Sequence, residues 1–157
     1  MPVVISVHGP SGSGKTTLIE QLLPRLRSRG LKVGVIKHAH HGLTLDVEGK
    51  DSWRMWQAGA AAVAVASPHE TFIRQRGPKP SLERLLALMP GELDCILVEG
   101  FADALDAQRV PVALRLAVTT DGVGCDGRRV GRNDLEKIEA AVMACCGKEE
   151  EDEVSRR

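Results

Sequence analysis

The segment Gly9-Pro10-Ser11-Gly12-Ser13-Gly14-Lys15-Thr16 constrains this chain more than any other. It matches G-x-x-x-x-G-K-[ST] in full, and each residue type has a physical task. The glycines let the backbone wrap closely round an anion so that successive N–H groups point inward. Lys15 brings a full positive charge to β- and γ-phosphates, and the Thr16 hydroxyl is suited to Mg²⁺. The strict pattern arises by chance in roughly one chain of this length per hundred. Here an apolar strand pattern, Val3-Val4-Ile5-Ser6-Val7, stands just before it. Just after it, Leu18, Ile19, Leu22, Leu23 and Leu26 recur at helical spacing. Strand, glycine turn and helix in that order predict a nucleoside triphosphate site.

The rest of the chain continues the alternation. Pro24 should cost the first helix a hydrogen bond or bend it, and Gly30 is placed to stop it. Lys32–Lys37 reads as a second strand, which completes a βαβ unit with parallel pairing and a right-handed crossover. A helix capped by Asp51 or Ser52 carries Trp53 and Trp56, and strands follow at Ala61–Ala66 and Thr71–Ile73. Ser81 opens a helix through Met89. Asp94–Val98 is a continuous apolar run of the central-strand kind, Pro111–Val118 a further strand, and Asn133 caps a last helix. The expected fold is α/β, a three-layer P-loop NTPase with a mostly parallel, doubly wound sheet. Residues 1–147 are expected as a single nucleotide-binding domain, with 148–157 as a disordered acidic tail.

Composition narrows the setting. Lys plus Arg (21) equals Asp plus Glu (21), so no net field directs the chain to nucleic acid or to a membrane. No apolar run approaches the roughly 20 residues of a membrane span. The N-terminus lacks the pattern of a secretory signal, and a cytoplasmic location is expected. Cys95, Cys125, Cys145 and Cys146 form no CxxC pair and read as free thiols.

Two carboxylates are candidates to complete the site. Glu99 closes the apolar run Cys95–Val98, where P-loop proteins carry an acid for Mg²⁺ or water, and Gly100 lets the chain turn behind it. Asp46 lies in the polar loop after the second strand, on the ligand side of such a sheet, and supports Mg²⁺ directly or through water. The same loop carries His38, His40 and His41, a spacing that fits no standard metal pattern, so a transition-metal site, an Mg²⁺-supporting loop and a solvated loop all stay open. Lys50 and Arg54 add charge for a phosphate or simply pair with neighbouring acids. Asn-Lys-x-Asp, the guanine-reading arrangement, is missing; Asp121 in Thr119-Thr120-Asp121 is the candidate in its place. Arg74 and Arg76 are candidates for a kinase-like lid or for plain solvation.

Several segments together resemble the MobB-type molybdopterin-guanine dinucleotide adapter family. They are Gly9–Thr17, Val33–His38 with His40-His41, Asp46 through Gly49-Lys50-Asp51-Ser52, Ala58-Gly59-Ala60 and Leu97-Val98-Glu99-Gly100-Phe101. The resemblance runs from Val3 to about Gly100. It implies a homodimeric GTP-binding protein, with ATP as the open alternative, Mg²⁺ as cofactor and weak hydrolysis. It further implies work beside the guanylyltransferase that joins molybdopterin to GMP, and contact with molybdopterin-bearing enzymes. The nucleotide residues would then be Gly9, Pro10, Ser11, Gly12, Ser13, Gly14, Lys15, Thr16 and Thr17. Thr16, Asp46 and Glu99 would hold the metal, with Lys15, Asp46 and Glu99 as the reactive shell. Ala102 stands where a lysine often follows Val-Glu-Gly-Phe, and Asp103–Pro111 is short for the family. The other classes this sequence admits are a small-molecule P-loop kinase using Arg74 and Arg76, and a metallochaperone built on His38, His40 and His41.

Overall fold

Val4 to Val7 are all buried in the strand Val3–His8 (β1), and the alternation of side chains between its two faces divides the core in two. Val4 packs on one face of the sheet, Ile5 and Val7 on the other. The computed structural model describes residues 1–39, 42, 43, 45–107, 110–125, 127–131 and 133–148. Those residues form two compact units, one of residues 1–38 with the chain from 81 onward, the other of residues 39–80.

In the larger unit, β1 leads into Lys15–Ser28 (α1), then Val33–Lys37 (β2). Leu18, Ile19, Leu22 and Leu26 form the buried stripe of α1, as their spacing predicts, and the helix continues through Pro24. Its end is a Schellman turn: Leu31 N–H bonds Leu26 C=O at 3.1 Å and Gly30 N–H bonds Arg27 C=O at 2.9 Å. The smaller unit holds Asp51–Gln57 (α2) and the hairpin Ala62–Ala66 (β3) with Thr71–Gln75 (β4). The chain then gives Leu82–Leu88 (α3), Cys95–Glu99 (β5), Ala102–Asp106 (α4), Leu114–Thr119 (β6), Gly122–Cys125 (β7), Arg128–Val130 (β8) and Leu135–Cys145 (α5). Ser81 caps α3, its hydroxyl accepting from Arg84 N–H at 3.3 Å.

The main sheet runs β2-β5-β1-β6-β7-β8. β2, β5, β1 and β6 pair in parallel, and β7 and β8 are added antiparallel. Every residue of β5 is buried, as a strand covered on both faces must be. One face packs with α1 and α5 through Leu22, Leu26, Ile138 and Val142. The other packs with α3 and α4 through Leu82 and Leu105. Helices on both faces of a mostly parallel sheet make this the three-layer α/β architecture expected from the sequence. Cys95 and Cys125 are buried core residues, and no described helix is long and apolar enough to cross a membrane.

Some boundaries differ from expectation. α4, β7 and β8 had no sequence signal, being five, four and three residues long, and β7 is half glycine. The strand expected from Pro111 begins only at Leu114, and the last helix is preceded by Asp134 rather than Asn133. Lys148, expected to open the acidic tail, is held by Asp94 at 3.1 Å, and residues 149–157 lie outside the described set.

One buried charge clasps α1 to α5. Glu139 is 5% exposed and accepts from Arg25 Nε at 2.6 Å and Arg29 Nε at 2.8 Å. Burial pushes its pKa up, but the two arginines outweigh that and hold the carboxyl below its ordinary value. Its stabilisation is therefore complete above the unfolded glutamate range near about 4.3 and fades as pH falls through the depressed folded value. Glu139→Gln should cost about 1–2 kcal/mol at neutral pH, discounted for the part-exposed arginines. In urea melts, the gap between variant and parent should close on acidification; a gap independent of pH rules out the ion pair as its source.

Candidate functional site

All of the cradle belongs to the larger unit. β1 delivers the chain to Gly9 at the carboxyl edge of the sheet, and α1 carries it away from Gly14, which adopts the left-handed conformation at φ 91°. The first amides of a helix have no partner within it. No side chain caps α1, and its first turn holds no acid, so its positive end faces the turn uncompensated. The turn itself is wound rather than splayed. Ser13 N–H bonds Pro10 C=O at 3.2 Å, and the Lys15 ammonium donates to Gly9 C=O at 3.0 Å and Pro10 C=O at 2.7 Å. Amides, helix terminus and ammonium thus bring positive potential to one turn of backbone, which suits a polyphosphate.

Strand order supplies the acid. β5 lies between β1 and β2, with Glu99 in register with Val7 on one side and Lys37 on the other. The Thr16 hydroxyl lies 3.3 and 3.2 Å from the two Glu99 carboxylate oxygens. Lys37 Nζ donates to Thr16 Oγ1 at 3.0 Å and pairs with Glu99 Oε2 at 3.4 Å. A hydroxyl and a carboxylate beside a phosphate cradle are the hard oxygen donors that Mg²⁺ takes, usually with waters and substrate oxygens making up the rest. The donor set fits that ion.

Behind Glu99 the chain makes a turn that only glycine permits. Gly100 has φ 92°, and a Cβ there would lie 2.7 Å from the His38 Cβ. His38 N–H bonds Glu99 C=O at 2.9 Å, and its ring lies 4.9 Å from that of Phe101, itself at φ 57°. The Lys37-His38 and Glu99-Gly100-Phe101 segments, far apart in sequence, are one packed corner beside the cradle. His38 is thereby placed as part of that corner. His40 and His41 lie outside the described residues, and among those described no group of three His, Cys, Asp or Glu could hold a metal.

Asp46 belongs to the smaller unit. Its Oδ1 accepts from Val47 N–H at 3.0 Å and from the Ser52 hydroxyl at 2.9 Å, which ties the loop to the start of α2. Arg74 and Arg76, also there, place their guanidinium carbons 4.0 and 4.1 Å from the Trp56 ring centroid, and Arg76 binds the Trp56 and Ala60 carbonyls. Packing on one tryptophan accounts for both arginines. Asp121 pairs with Arg129 at 3.1 Å and takes the Thr120 hydroxyl at 3.0 Å. It lines an open groove of about 740 Å³ with His8, Arg115, Thr119 and Arg128. Burial and the nearby Arg115 guanidinium lower the His8 pKa there.

The residue that sequence reasoning gave no role is Lys37. A cation at the end of a strand is unremarkable until strand order sets it against Glu99.

Comparison with known proteins identifies a family for the chain. The pattern of the molybdopterin guanine dinucleotide synthesis protein B family matches residues 4–120. A molybdopterin-guanine dinucleotide biosynthesis adapter protein of Haemophilus influenzae is 48% identical over 100 residues, 62% of this chain and 56% of that protein. The Escherichia coli protein of the same name is 44% identical over 95 residues, covering 58% and 54%. The chain therefore spans about half the length of the curated relatives it matches. A crystal structure of molybdopterin-guanine biosynthesis protein B superposes with a TM-score of 0.64 at 26% identity, covering 92% of this chain and 99% of that one.

Proposed function

The chain belongs to the molybdopterin guanine dinucleotide synthesis protein B family, and from that membership we propose that it is a GTP-binding adapter in molybdenum-cofactor biosynthesis. In this reading it serves the guanylyltransferase that joins GMP to molybdopterin, and reaches molybdopterin-bearing enzymes through that complex. The observation that carries the nucleotide half is the uncapped N-terminus of α1 with Lys15 folded over the same turn. The adapter half rests on the names of the similar proteins from Haemophilus influenzae and Escherichia coli.

The residues divide the work by chemistry. Backbone N–H groups of the Gly9–Thr17 turn, Pro10 excepted, and the Lys15 ammonium neutralise phosphate charge and fix its orientation. Thr16 and Glu99 would hold Mg²⁺, which supplies further neutralisation of the β- and γ-oxygens when bound. Hydrolysis is slow in this reading, because no glutamine or arginine stands in the motif where it would orient water.

A second copy of the chain is part of the proposal. Met55, Val65 and Ile73 of the smaller unit are 58%, 45% and 67% exposed, and a lone two-stranded sheet is marginal in water. Light scattering should return twice the monomer mass.

Calorimetry tests the function. GTP with Mg²⁺ should bind at least about tenfold more tightly than ATP, the effect of one well-placed base contact. Added guanylyltransferase should tighten GTP binding further. Tight ATP binding that ignores that partner would replace this reading with a small-molecule kinase.

A further inference from the structure

Lys37 takes no part in the phosphate cradle, yet its ammonium touches both oxygen donors that a metal would use. It lies 3.0 Å from Thr16 Oγ1 and 3.4 Å from Glu99 Oε2. The placement is built into the sheet, because parallel pairing of β2 with β5 sets Lys37 opposite Glu99. The Thr16 hydroxyl has one proton, which its position gives to Glu99, and its lone pairs face the Lys37 donor. A divalent cation needs those same lone pairs and the same carboxylate. Glu99 is only 8% exposed, so its charge needs a counter-charge at all times.

We propose that Lys37 is an internal counter-ion that holds the divalent-metal position, so that metal enters only by displacing its ammonium from Thr16 and Glu99. The Lys37 side chain is 53% exposed on a flexible stem, so the ammonium can leave without disturbing the strand. Free metal alone then binds poorly. A triphosphate adds the anionic oxygens that tip the exchange, and metal and nucleotide enter together. The last step rests on the nucleotide reading above; the competition at Thr16 and Glu99 does not.

The test titrates Mn²⁺ alone, a paramagnetic stand-in for Mg²⁺, into the full chain and follows free metal by electron paramagnetic resonance. Lys37→Gln should bind Mn²⁺ roughly fivefold or more tightly than the parent, the scale of one partly exposed charge-assisted contact. Lys37→Arg, which keeps the charge, should stay near the parent, and Lys37→Gln combined with Glu99→Gln should lose the gain. No gain in Lys37→Gln, or an equal gain in Lys37→Arg, overturns the proposal. GTP binding in EDTA separates the remaining role: Lys37→Gln should match the parent, and a tenfold loss would make Lys37 a phosphate ligand instead. Should no variant bind GTP under any condition while the Mn²⁺ gain persists, the nucleotide reading fails and the counter-ion stands.

Discussion

Lys15→Ala leaves the chain folded and lowers its affinity for a nucleoside triphosphate by about a hundredfold or more. The size follows from removing a charge-assisted phosphate contact, worth about 1.5–3 kcal/mol even before the unbalanced anion is counted. Stability should change little, because the ammonium's present partners are the exposed carbonyls of Gly9 and Pro10. Those bonds also show what the lysine does before any ligand arrives. It ties the turn down, so the amides are already gathered and less ordering entropy is lost on binding. Calorimetry of the variant beside a thermal melt separates the two roles. Unchanged affinity with a lowered melting point would reduce Lys15 to a structural strut and remove the basis for the nucleotide site.

Gly9→Ala should do more damage to the fold. Gly9 sits at φ 146°, and a Cβ there would lie 2.0 Å from the Val118 carbonyl oxygen and 3.1 Å from Ser13 Oγ. The obstructing atom is backbone at the carboxyl end of β6, so no side-chain rotation relieves it. Either the cradle lifts or the end of β6 moves, at about 2–4 kcal/mol, which corresponds to a fall of about 5–15 °C in melting temperature. Nucleotide affinity should fall with it, since the amides are displaced. Gly12→Ala is the control. Gly12 also has a positive φ, 73°, but a Cβ there meets nothing within 4 Å. It should cost about 1 kcal/mol, the backbone strain alone. Equal losses in the two variants would mean that the approach of Val118 to Gly9 is not what demands glycine.

The cradle and the element types were legible because their causes are local. Three glycines, a lysine and a threonine at fixed spacing wind the same turn whatever surrounds it, and the leucines of α1 lie on one face by helical periodicity alone. Glu99 was legible for a similar reason, since a carboxylate closing a wholly apolar run can only stand at a strand end. The three short elements were not. Gly122–Cys125 is a strand because β6 offers an edge to pair with, Arg128–Val130 because β7 then offers the next, and Ala102–Asp106 is a helix because Leu105 is buried beneath it. No propensity in those residues says so.

Position across the sheet was hidden for a deeper reason. Pairing in a parallel sheet is made between strands distant in sequence, and the order β2-β5-β1 is a property of the whole packing. That order alone sets Glu99 beside Thr16 and Lys37 beside Glu99. Within the 39–80 unit, the Asp46 hydrogen bond to Ser52 and the packing of Arg74 and Arg76 on Trp56 were equally hidden, since the partners lie up to 20 residues away in sequence. The sequence by itself determined a glycine-rich turn between strand and helix, an α/β alternation and the family; the tertiary structure decided which charges meet there, because local chemistry is carried by neighbours in the chain and electrostatics by neighbours in space.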